Sequence, residues 1–303
     1  MKLSLKGKNL TYDQLPSNSN KLSFYYLENR FKRVKNIKNF NNDILVTLGL
    51  IANDKYTIAA ELLSDENSMN SSGIDIVRFG KSISQFLERK TIKNESLLKQ
   101  LDETLHFFEK NYPKIEVVEG FNRVKKSPIP FEAFREALAN AIVHRDYSIN
   151  SLIKISMYDN RVEIVSPGGL PEGLCDLRDY LSIPRNIIVA QIFFMLGIIE
   201  KFGTGIKRIR DAYKSHFLKP KFDIKENMIR VVLPNMLFDD SNMLPEIRIM
   251  NLIEMQLEIR RIDVEKKLNV NKSKAIELLK KLVDKNLITT KGNGRNQVYV
   301  IND

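Results

Sequence analysis

Three side chains that could do chemistry are spaced four residues apart in the segment 131–144. Glu136, Asn140 and His144 supply a carboxylate, a carboxamide and an imidazole. Residues four apart in a helix lie one above the next, so this spacing predicts a single row along one helix edge. In such a row Glu136 is the candidate catalytic residue, since its carboxylate can accept a proton from water, and Asn140 can offer a neutral oxygen to hydrated Mg²⁺. The alternative is that the row is the solvated face of an amphipathic helix.

The same segment carries an apolar stripe that supports the helix prediction. Phe134, Leu138, Ala141 and Ile142 recur at the spacing of one helix face. Such a stripe is typical of a helix that packs against a core.

Two glycine motifs follow this helix. The segments 152–158 and 161–165 alternate apolar and polar residues and predict a hairpin, which ends at Ser166-Pro167-Gly168-Gly169. Downstream, Gly203-Thr204-Gly205 follows a predicted apolar helix over 187–199. Glycines let the backbone approach a ligand closely, and a helix start presents free N–H groups to phosphates. The order favours a nucleotide pocket without a P-loop, although Gly203-Thr204-Gly205 alone is also typical of an ordinary turn into a helix.

These motifs, in this order, resemble the Bergerat ATP-binding fold of the GHKL superfamily. More closely, the segments EALANAIVHRDYS, VEIVSPGGLP and SIPRNIIVAQIFFMLGIIEKFGTGIKRI resemble transcriptional regulators that are often labelled RecG-like. In that family an ATP-binding domain follows a Schlafen AlbA-type domain, and the resemblance covers residues 20 to 234. The superfamily places an aspartate just before the first glycine motif to bind the adenine amino group, where this chain has Ser166.

The resemblance implies ATP and Mg²⁺ as cofactors and assigns a role to each motif. Glu136 would activate water, and Asn140 would hold Mg²⁺ through the nucleotide. The other cofactor-binding positions would border the adenine, form the lid segment or cradle the phosphates, and they are His144, Gly168, Gly169, Arg185, Asn186, Gly203, Thr204 and Gly205.

Composition places the chain among intracellular proteins that bind a polyanion. The 303 residues carry a formal net charge of +11, which is expected of a nucleic-acid binder. The single cysteine, Cys175, fits a reducing cytoplasm, and no apolar stretch is long enough to span a membrane. We therefore expect a cytoplasmic protein with no membrane partner.

The segment after residue 242 predicts a DNA-binding module. Helices are expected over 245–256, 264–268 and 273–285, followed by strands over 287–290 and 298–301. This order resembles a winged helix-turn-helix, and residues 241–303 hold 12 Lys and Arg against 8 Asp and Glu, a net of +4. The third helix would meet double-stranded DNA through Lys272, Ser273 and Lys274, and the wing through Lys291 and Arg295. The alternative is a winged helix that makes protein contacts.

The N-terminal part is less explicit. Its pattern predicts a helix over 22–34, strand-like structure over 44–52, a strand over 74–79 and a helix over 96–110.

Together these patterns predict an α+β chain of three domains. Residues 1–125 would form a partial AlbA-like domain, 126–236 a GHKL-like (Bergerat) α/β sandwich that binds ATP, and 243–303 a winged helix-turn-helix. The first functional hypothesis is an ATP-binding, DNA-binding transcriptional regulator. The alternatives are a slow Mg-dependent ATPase that acts on DNA and a DNA-binding regulator with a degenerate pocket. The oligomeric state is left open, with a homodimer as one alternative.

Overall fold

The computed structural model describes residues 10–37, 39–80, 83–170, 184–200 and 203–302. These residues confirm the α+β class. Their helices are α1 (Tyr25–Lys35), α2 (Asn42–Thr47), α3 (Ile58–Leu63), α4 (Leu97–Asn111), α5 (Phe131–His144), α6 (Ile187–Met195), α7 (Gly205–Asp211), α8 (Pro245–Gln256), α9 (Arg261–Leu268) and α10 (Lys272–Asp284). Short 3₁₀ turns lie at Tyr12–Gln14 and Gly294–Asn296. The strands are β1 (Ile51–Ala52), β2 (Lys55–Tyr56), β3 (Gly73–Phe79), β4 (Phe86–Lys93), β5 (Ile115–Glu119), β6 (Asn122–Lys126), β7 (Ile153–Met157), β8 (Arg161–Pro167), β9 (Lys221–Ile224), β10 (Met228–Pro234), β11 (Ile288–Lys291) and β12 (Val298–Ile301).

A six-stranded mixed sheet organises the described residues up to Pro234. Its order is β4-β3-β7-β8-β10-β9. β3 and β7 run parallel, with Ile74 opposite Ile153, while the other neighbours are antiparallel. Helix α4 packs on β3 and β4, and α5 packs on β8 and β10.

Helix α5 is fixed to this sheet by the apolar stripe that the sequence predicts. Phe134, Leu138, Ala141 and Ile142 are all buried. The ring of Phe134 stacks on that of Phe108 in α4 at 3.9 Å between centroids. The stripe therefore orients α5 so that its polar row points away from the sheet.

One hydrophobic core runs across the boundary expected near residue 125. It extends from Phe24 to Leu233 and includes residues of α1, α4, α5 and the sheet. Strands β3 and β4 of the N-terminal part share the sheet with β7, β8 and β10. The N-terminal region and the region expected to bind a nucleotide are thus one packed unit in this structure, and their division into AlbA-like and GHKL-like domains stays a prediction.

A second core cluster is built by α8, α9, α10 and the hairpin β11–β12. These elements match the predicted three helices and hairpin closely in position. Asn271 caps α10 by accepting a hydrogen bond from the backbone N–H of Lys274. The identity of this C-terminal module as a DNA-binding winged helix stays a prediction.

The C-terminal module is joined to the sheet by polar contacts. Arg161, at the start of β8, donates to Glu254 of α8 at 2.6 Å, and Asn160 donates to the same carboxylate at 3.2 Å. In the connecting segment Asp240 is buried and pairs with Lys267 at 3.0 Å. The segment 235–242 lacks helix and strand, as expected of a linker, but it is tied to the module rather than free.

The expectation of strand-like structure over 44–52 is wrong for its first half. Asn41 accepts a hydrogen bond from the N–H of Ile44 and starts helix α2, which ends before Gly49 at φ +74°. Only Ile51–Ala52 is a strand. A short apolar run such as 44–52 is compatible with a helix or with a strand, so its pattern alone does not assign the structure. The N-cap at Asn41 favours the helix.

The first backbone N–H groups of helix α6 are capped by a carboxylate from the N-terminal segment. Asp13 is fully buried and accepts hydrogen bonds from the N–H groups of Ile188 at 2.8 Å and Val189 at 3.1 Å. The helix ends at Met195, and Gly197 follows at φ +70°, so it is shorter than the predicted 187–199. The N-terminal segment therefore positions the helix that follows Arg185 and Asn186.

Candidate nucleotide site

The polar row of α5 lies inside the molecule. Glu136 is only 4% exposed, and Asn140 and His144 are half-buried. A solvated helix face would leave all three in water. The structure therefore excludes a solvated face for Glu136 and places Glu136 and Asn140 against neighbouring backbone.

That backbone is the Gly203-Thr204-Gly205 turn. A Cβ built on Gly205 would lie 2.5 Å from Oε1 of Glu136 and 2.8 Å from Nδ2 of Asn140. Gly203 adopts φ +64°, a conformation that favours glycine. The sequence placed these two motifs about sixty residues apart in the chain, and the fold brings them into contact.

The environment of Glu136 favours its neutral form. Burial raises the pKa of this carboxyl group, and the nearby guanidinium groups of Arg135 and Arg208 partly oppose that shift. Arg135 lies 3.6 Å from Glu136 and also donates to the carbonyl of Ile198 at 2.7 Å. A carboxyl group with a raised pKa is suited to accept a proton near neutral pH.

Arg208 is itself held by a carboxylate beside the turn. It pairs with Glu200, which also accepts a hydrogen bond from Oγ1 of Thr204 at 2.9 Å. Glu200 thus links Thr204 to Arg208. The hydroxyl of Thr204 is occupied by this contact in the structure.

His144 is neutral at physiological pH. Burial, with a smaller contribution from the nearby charge of Arg185, lowers the pKa of its imidazole to about 4. It can donate and accept hydrogen bonds, but it brings no positive charge to the site.

The first glycine motif is shaped by its protein neighbours. Gly168 has φ +93°, and a Cβ there would lie 2.7 Å from Cβ of Asp146. A Cβ on Gly169 would lie 2.5 Å from the backbone oxygens of Lys225 and Glu226, in the turn between β9 and β10. Ser166 is also engaged, since its hydroxyl donates to the carbonyl of Ala141 at 2.9 Å. Packing alone therefore requires glycine at both positions.

A carboxylate that sequence reasoning missed lies beside this motif. The N–H of Asp146 donates to the carbonyl of Pro167 at 2.9 Å, which holds the residue against Gly168. Arg185 donates to Oδ2 of Asp146 at 3.2 Å and to the carbonyl of Gly169 at 2.8 Å. The only sequence signal was an acidic residue two positions after His144, with no indication that the chain returns to the glycine turn.

Asn186 serves the end of α5. Its amide donates to the carbonyls of Val143 at 2.8 Å and Arg145 at 2.9 Å, and the residue is fully buried. These bonds satisfy carbonyls that a helix C-terminus leaves without partners. The contacts that hold Asn186 are therefore structural, and its predicted role toward a nucleotide stays a prediction.

The residues predicted to bind DNA lie on the C-terminal module and not beside Glu136. Lys272, Ser273 and Lys274 are exposed in the first turn of α10, and Lys274 pairs with Glu277 at 2.7 Å. Lys291 is exposed at the end of β11. Arg295 belongs to the 3₁₀ turn at the hairpin tip, and its side chain lies outside the described part of the structure.

The described residues contain no group of three or more His, Cys, Asp or Glu side chains that could hold a metal ion. Within the same residues, every helix is too short or too polar to cross a bilayer.

Comparison with protein families finds one match within this region. Residues 150–233 match the family described as "Putative ATP-dependent DNA helicase recG C-terminal". The match covers less than half of the chain. It includes both glycine motifs but not α5, and it supports a RecG-like, ATP-binding type of domain, with which the mixed sheet is consistent. No curated protein matches the sequence.

A solved structure shares the fold. The DIP2311 protein from Corynebacterium diphtheriae superimposes with a TM-score of 0.65 and 19% sequence identity, over 98% of this chain and 66% of that one. The chain therefore spans just under two thirds of the length of that protein. At this identity the likeness concerns the fold alone.

Removing the charge of Glu136 should not destabilise the fold. Because the folded pKa is raised, the ionised carboxylate opposes folding, and stability is lost as pH rises through that pKa. We expect the free energy of unfolding of Glu136→Gln at pH 8 to equal or exceed that of the wild type. The difference between the two proteins should shrink toward pH 4. Denaturant unfolding at several pH values measures this.

Glu132→Gln is the matched control, because Glu132 is exposed in the first turn of the same helix. It should change stability by less than about 0.5 kcal/mol. A clear loss of stability in Glu136→Gln at pH 8 would contradict the assigned effect of burial.

Proposed function

We propose that the chain is a nucleotide-responsive, DNA-binding transcriptional regulator that binds an adenine nucleotide between α5 and the two glycine turns. The observation that carries this proposal is the contact of Gly205 with Glu136 and Asn140, in a chain whose residues 150–233 match an ATP-dependent family. A carboxylate, an amide and a glycine backbone meet where a Cβ would not fit. This combination suits phosphate groups and a bound Mg²⁺.

The site residues are assigned roles according to their position. The backbone of Gly203, Thr204 and Gly205 faces the phosphates, and Asn140 holds Mg²⁺ through the nucleotide. When bound, Mg²⁺ supplies charge neutralisation for the phosphate oxygens. Glu136 accepts the proton of a water molecule.

The base would lie toward the C-terminal end of α5. Gly168 and Gly169 border it, His144 offers a neutral hydrogen-bonding edge, and Arg185 and Asn186 belong to the lid. Asp146 could replace the aspartate that the superfamily has before the glycine motif, because Asp146 lies beside Gly168 although it belongs to a different segment. We propose that its carboxylate accepts a hydrogen bond from the adenine amino group.

A slow Mg-dependent ATPase is the second candidate function. The observation in its favour is the burial of Glu136 with a raised pKa next to the Gly205 turn, which is an arrangement suited to a general base. A regulator with a degenerate pocket is the third, and nucleotide-binding measurements separate it from the other two.

Double-stranded DNA is the proposed partner of the C-terminal module. The start of α10 presents Lys272, Ser273 and Lys274 to solvent, and residues 241–303 carry a surplus of positive charge. Basic residues at a helix start can contact phosphates and base edges together. Lys291 and Arg295 extend the surface along the hairpin.

Strand β8 offers a route between the two sites. It carries Arg161 at one end, bonded to Glu254 of the C-terminal module, and leads into Gly168 at the other. A shift of the glycine turn on nucleotide binding would be transmitted along a strand that is paired on both sides. This is how occupancy of the pocket would change the placement of α10.

Nucleotide binding should depend on Gly205. A valine at this position would displace Glu136 and Asn140, so we expect Gly205→Val to weaken ATP binding by roughly tenfold or more. Isothermal titration calorimetry with ATP, with and without Mg²⁺, measures the effect. Asp211→Val is the control, since Asp211 is exposed at the end of the same helix. Absence of any heat of ATP binding at millimolar concentration in the wild type would refute the nucleotide proposal.

Hydrolysis should depend on Glu136 more than binding does. If this residue is the general base, Glu136→Ala should lower ATP turnover by roughly a hundredfold while ATP affinity stays nearly unchanged. Phosphate release under single-turnover conditions provides the measurement. A wild-type protein that releases no phosphate above background would eliminate the ATPase alternative and leave the regulator.

Binding to DNA should depend on the start of α10. Replacing Lys272, Lys274 and Arg295 by alanine removes about three phosphate contacts and should reduce the slope of log K against log salt by roughly three. Fluorescence anisotropy with duplex DNA over a salt series tests this. Replacement of Lys55, Lys114 and Lys125, which are exposed outside both basic helices, is the control of equal charge. An unchanged slope in the α10 variant would indicate that this module makes protein contacts instead.

A further inference from the structure

The sheet has one long edge that no strand covers. β4 stands at the end of the strand order and runs for eight residues, and no strand among the described residues pairs with its outer side. The opposite edge strand, β9, has only four residues. Phe86 is 62% exposed and Leu87 57% exposed on β4, and Ile83, just before it, is 72% exposed. An unpaired edge with apolar side chains is a ready template for another strand.

We propose that β4 pairs with β4 of a second copy of the chain, antiparallel, about a two-fold axis at Arg89. The two six-stranded sheets would then form one continuous sheet. The pairing is isologous, so it closes after two copies and does not continue into a fibre.

The geometry of an antiparallel ladder restricts the position of the axis. The backbone N–H and C=O groups of successive residues point alternately to the two sides of a strand, so facing residues must point the same way. The axis therefore passes through a residue and not between two residues. This alternation holds from Lys93 to Glu88, because Leu87 is an extra residue that shifts the pairing with β3 before Phe86. Within that regular stretch an axis at residue 89 pairs 88 with 90, and an axis at residue 90 pairs 88 with 92 and 89 with 91.

Charge decides between these two registers. Either axis sets one cation directly opposite its own copy, Arg89 or Lys90, and each of these cations already has a carboxylate partner, Asp75 or Glu103. The two registers therefore differ in the pairs beside the axis. An axis at residue 89 sets Glu88 of each copy opposite Lys90 of the other, which makes two complementary pairs. Both residues lie in the regular part of the ladder, which extends from Lys93 to Glu88 and shifts only near Phe86.

The axis residue does not oppose this register. Arg89 is bound at two points by Asp75, with distances of 3.2 Å from Nε and 2.8 Å from Nη2. This partner reduces the repulsion between the two Arg89 side chains, as Glu103 would for Lys90 at the other axis. Glu88 and Lys90 also have partners on α4, Lys110 at 2.7 Å and Glu103 at 2.8 Å, but all four side chains are partly exposed. Surface pairs of that kind are weak, so they leave Glu88 and Lys90 able to join a pair across the axis.

The complementarity of β4 with itself favours a second copy over other partners. A nucleic acid would meet Glu88 in the middle of the strand, and a peptide of unrelated sequence would have no reason to match the alternation of Glu88 and Lys90. The apolar residues Phe86 and Leu87 would add buried area at the ends of the shared ladder.

Charge reversal tests the register in the full-length protein. Sedimentation equilibrium should show a wild-type dimer. Glu88→Lys and Lys90→Glu each place two like-charged pairs across the axis, so each should raise the dimer Kd by roughly tenfold or more. The double variant restores two opposite-charge pairs and should dimerise like the wild type. Circular dichroism verifies that every variant is folded.

The hairpin β5–β6 supplies the matched control. Glu116 and Lys125 face each other across it and are also exposed. Glu116→Lys and Lys125→Glu should leave the dimer Kd unchanged. The proposal is overturned if the wild type is monomeric at about 100 μM, a concentration at which an interface of this kind is populated, or if the double reversal fails to restore the dimer.

Cross-linking gives an independent measurement of the axis. Facing residues in an antiparallel pair have Cα atoms about 4.5–5.5 Å apart, within the span of a disulfide. With the single cysteine removed by Cys175→Ser, Arg89→Cys should therefore form a covalent dimer on mild oxidation. Lys93→Cys should not, because two copies of residue 93 lie on opposite sides of the axis. Equal cross-linking at both positions would overturn the register.

Discussion

The close approach of the Gly205 backbone to the buried row of α5 is the constraint on which the site depends. Glu136 and Asn140 fill the space that a side chain at position 205 would occupy. Helix α7 begins at this contact, and the apolar stripe of α5 determines which way the row points. Burial then raises the pKa of the Glu136 carboxyl group, so the same packing that holds this side chain also sets its acidity.

Much of the local structure could be predicted from the sequence, because hydrophobic period and turn residues act over short distances. The stripe of α5, the hairpin of β7 and β8 and the three C-terminal helices all lie close to their expected positions. The strand expected over 44–52 was wrong because Asn41, a good N-cap, starts a helix in an apolar run that periodicity alone does not assign.

Long-range contacts explain what the sequence did not indicate. The row of Glu136, Asn140 and His144 was predicted, but its burial depends on a turn about sixty residues later. Asp146 was not recognised, because only the return of the chain at Pro167 brings the glycine turn to it. The shared core across residue 125 also depends on a long-range contact, since the pairing of β3 with β7 joins segments nearly eighty residues apart. No local pattern encodes such a pairing.

The capping of α6 joins segments that are far apart in the sequence. Asn186 occupies the N-cap position of this helix, but its amide is turned toward the end of α5, so it makes no cap hydrogen bond. Asp13 takes over that task from the other end of the sequence. A related sequence that loses the carboxylate at position 13 would have to recover an acceptor for the first N–H groups of α6, for example by freeing position 186 for that role. Positions 13 and 186 should therefore change together among relatives, although 173 positions of sequence separate them.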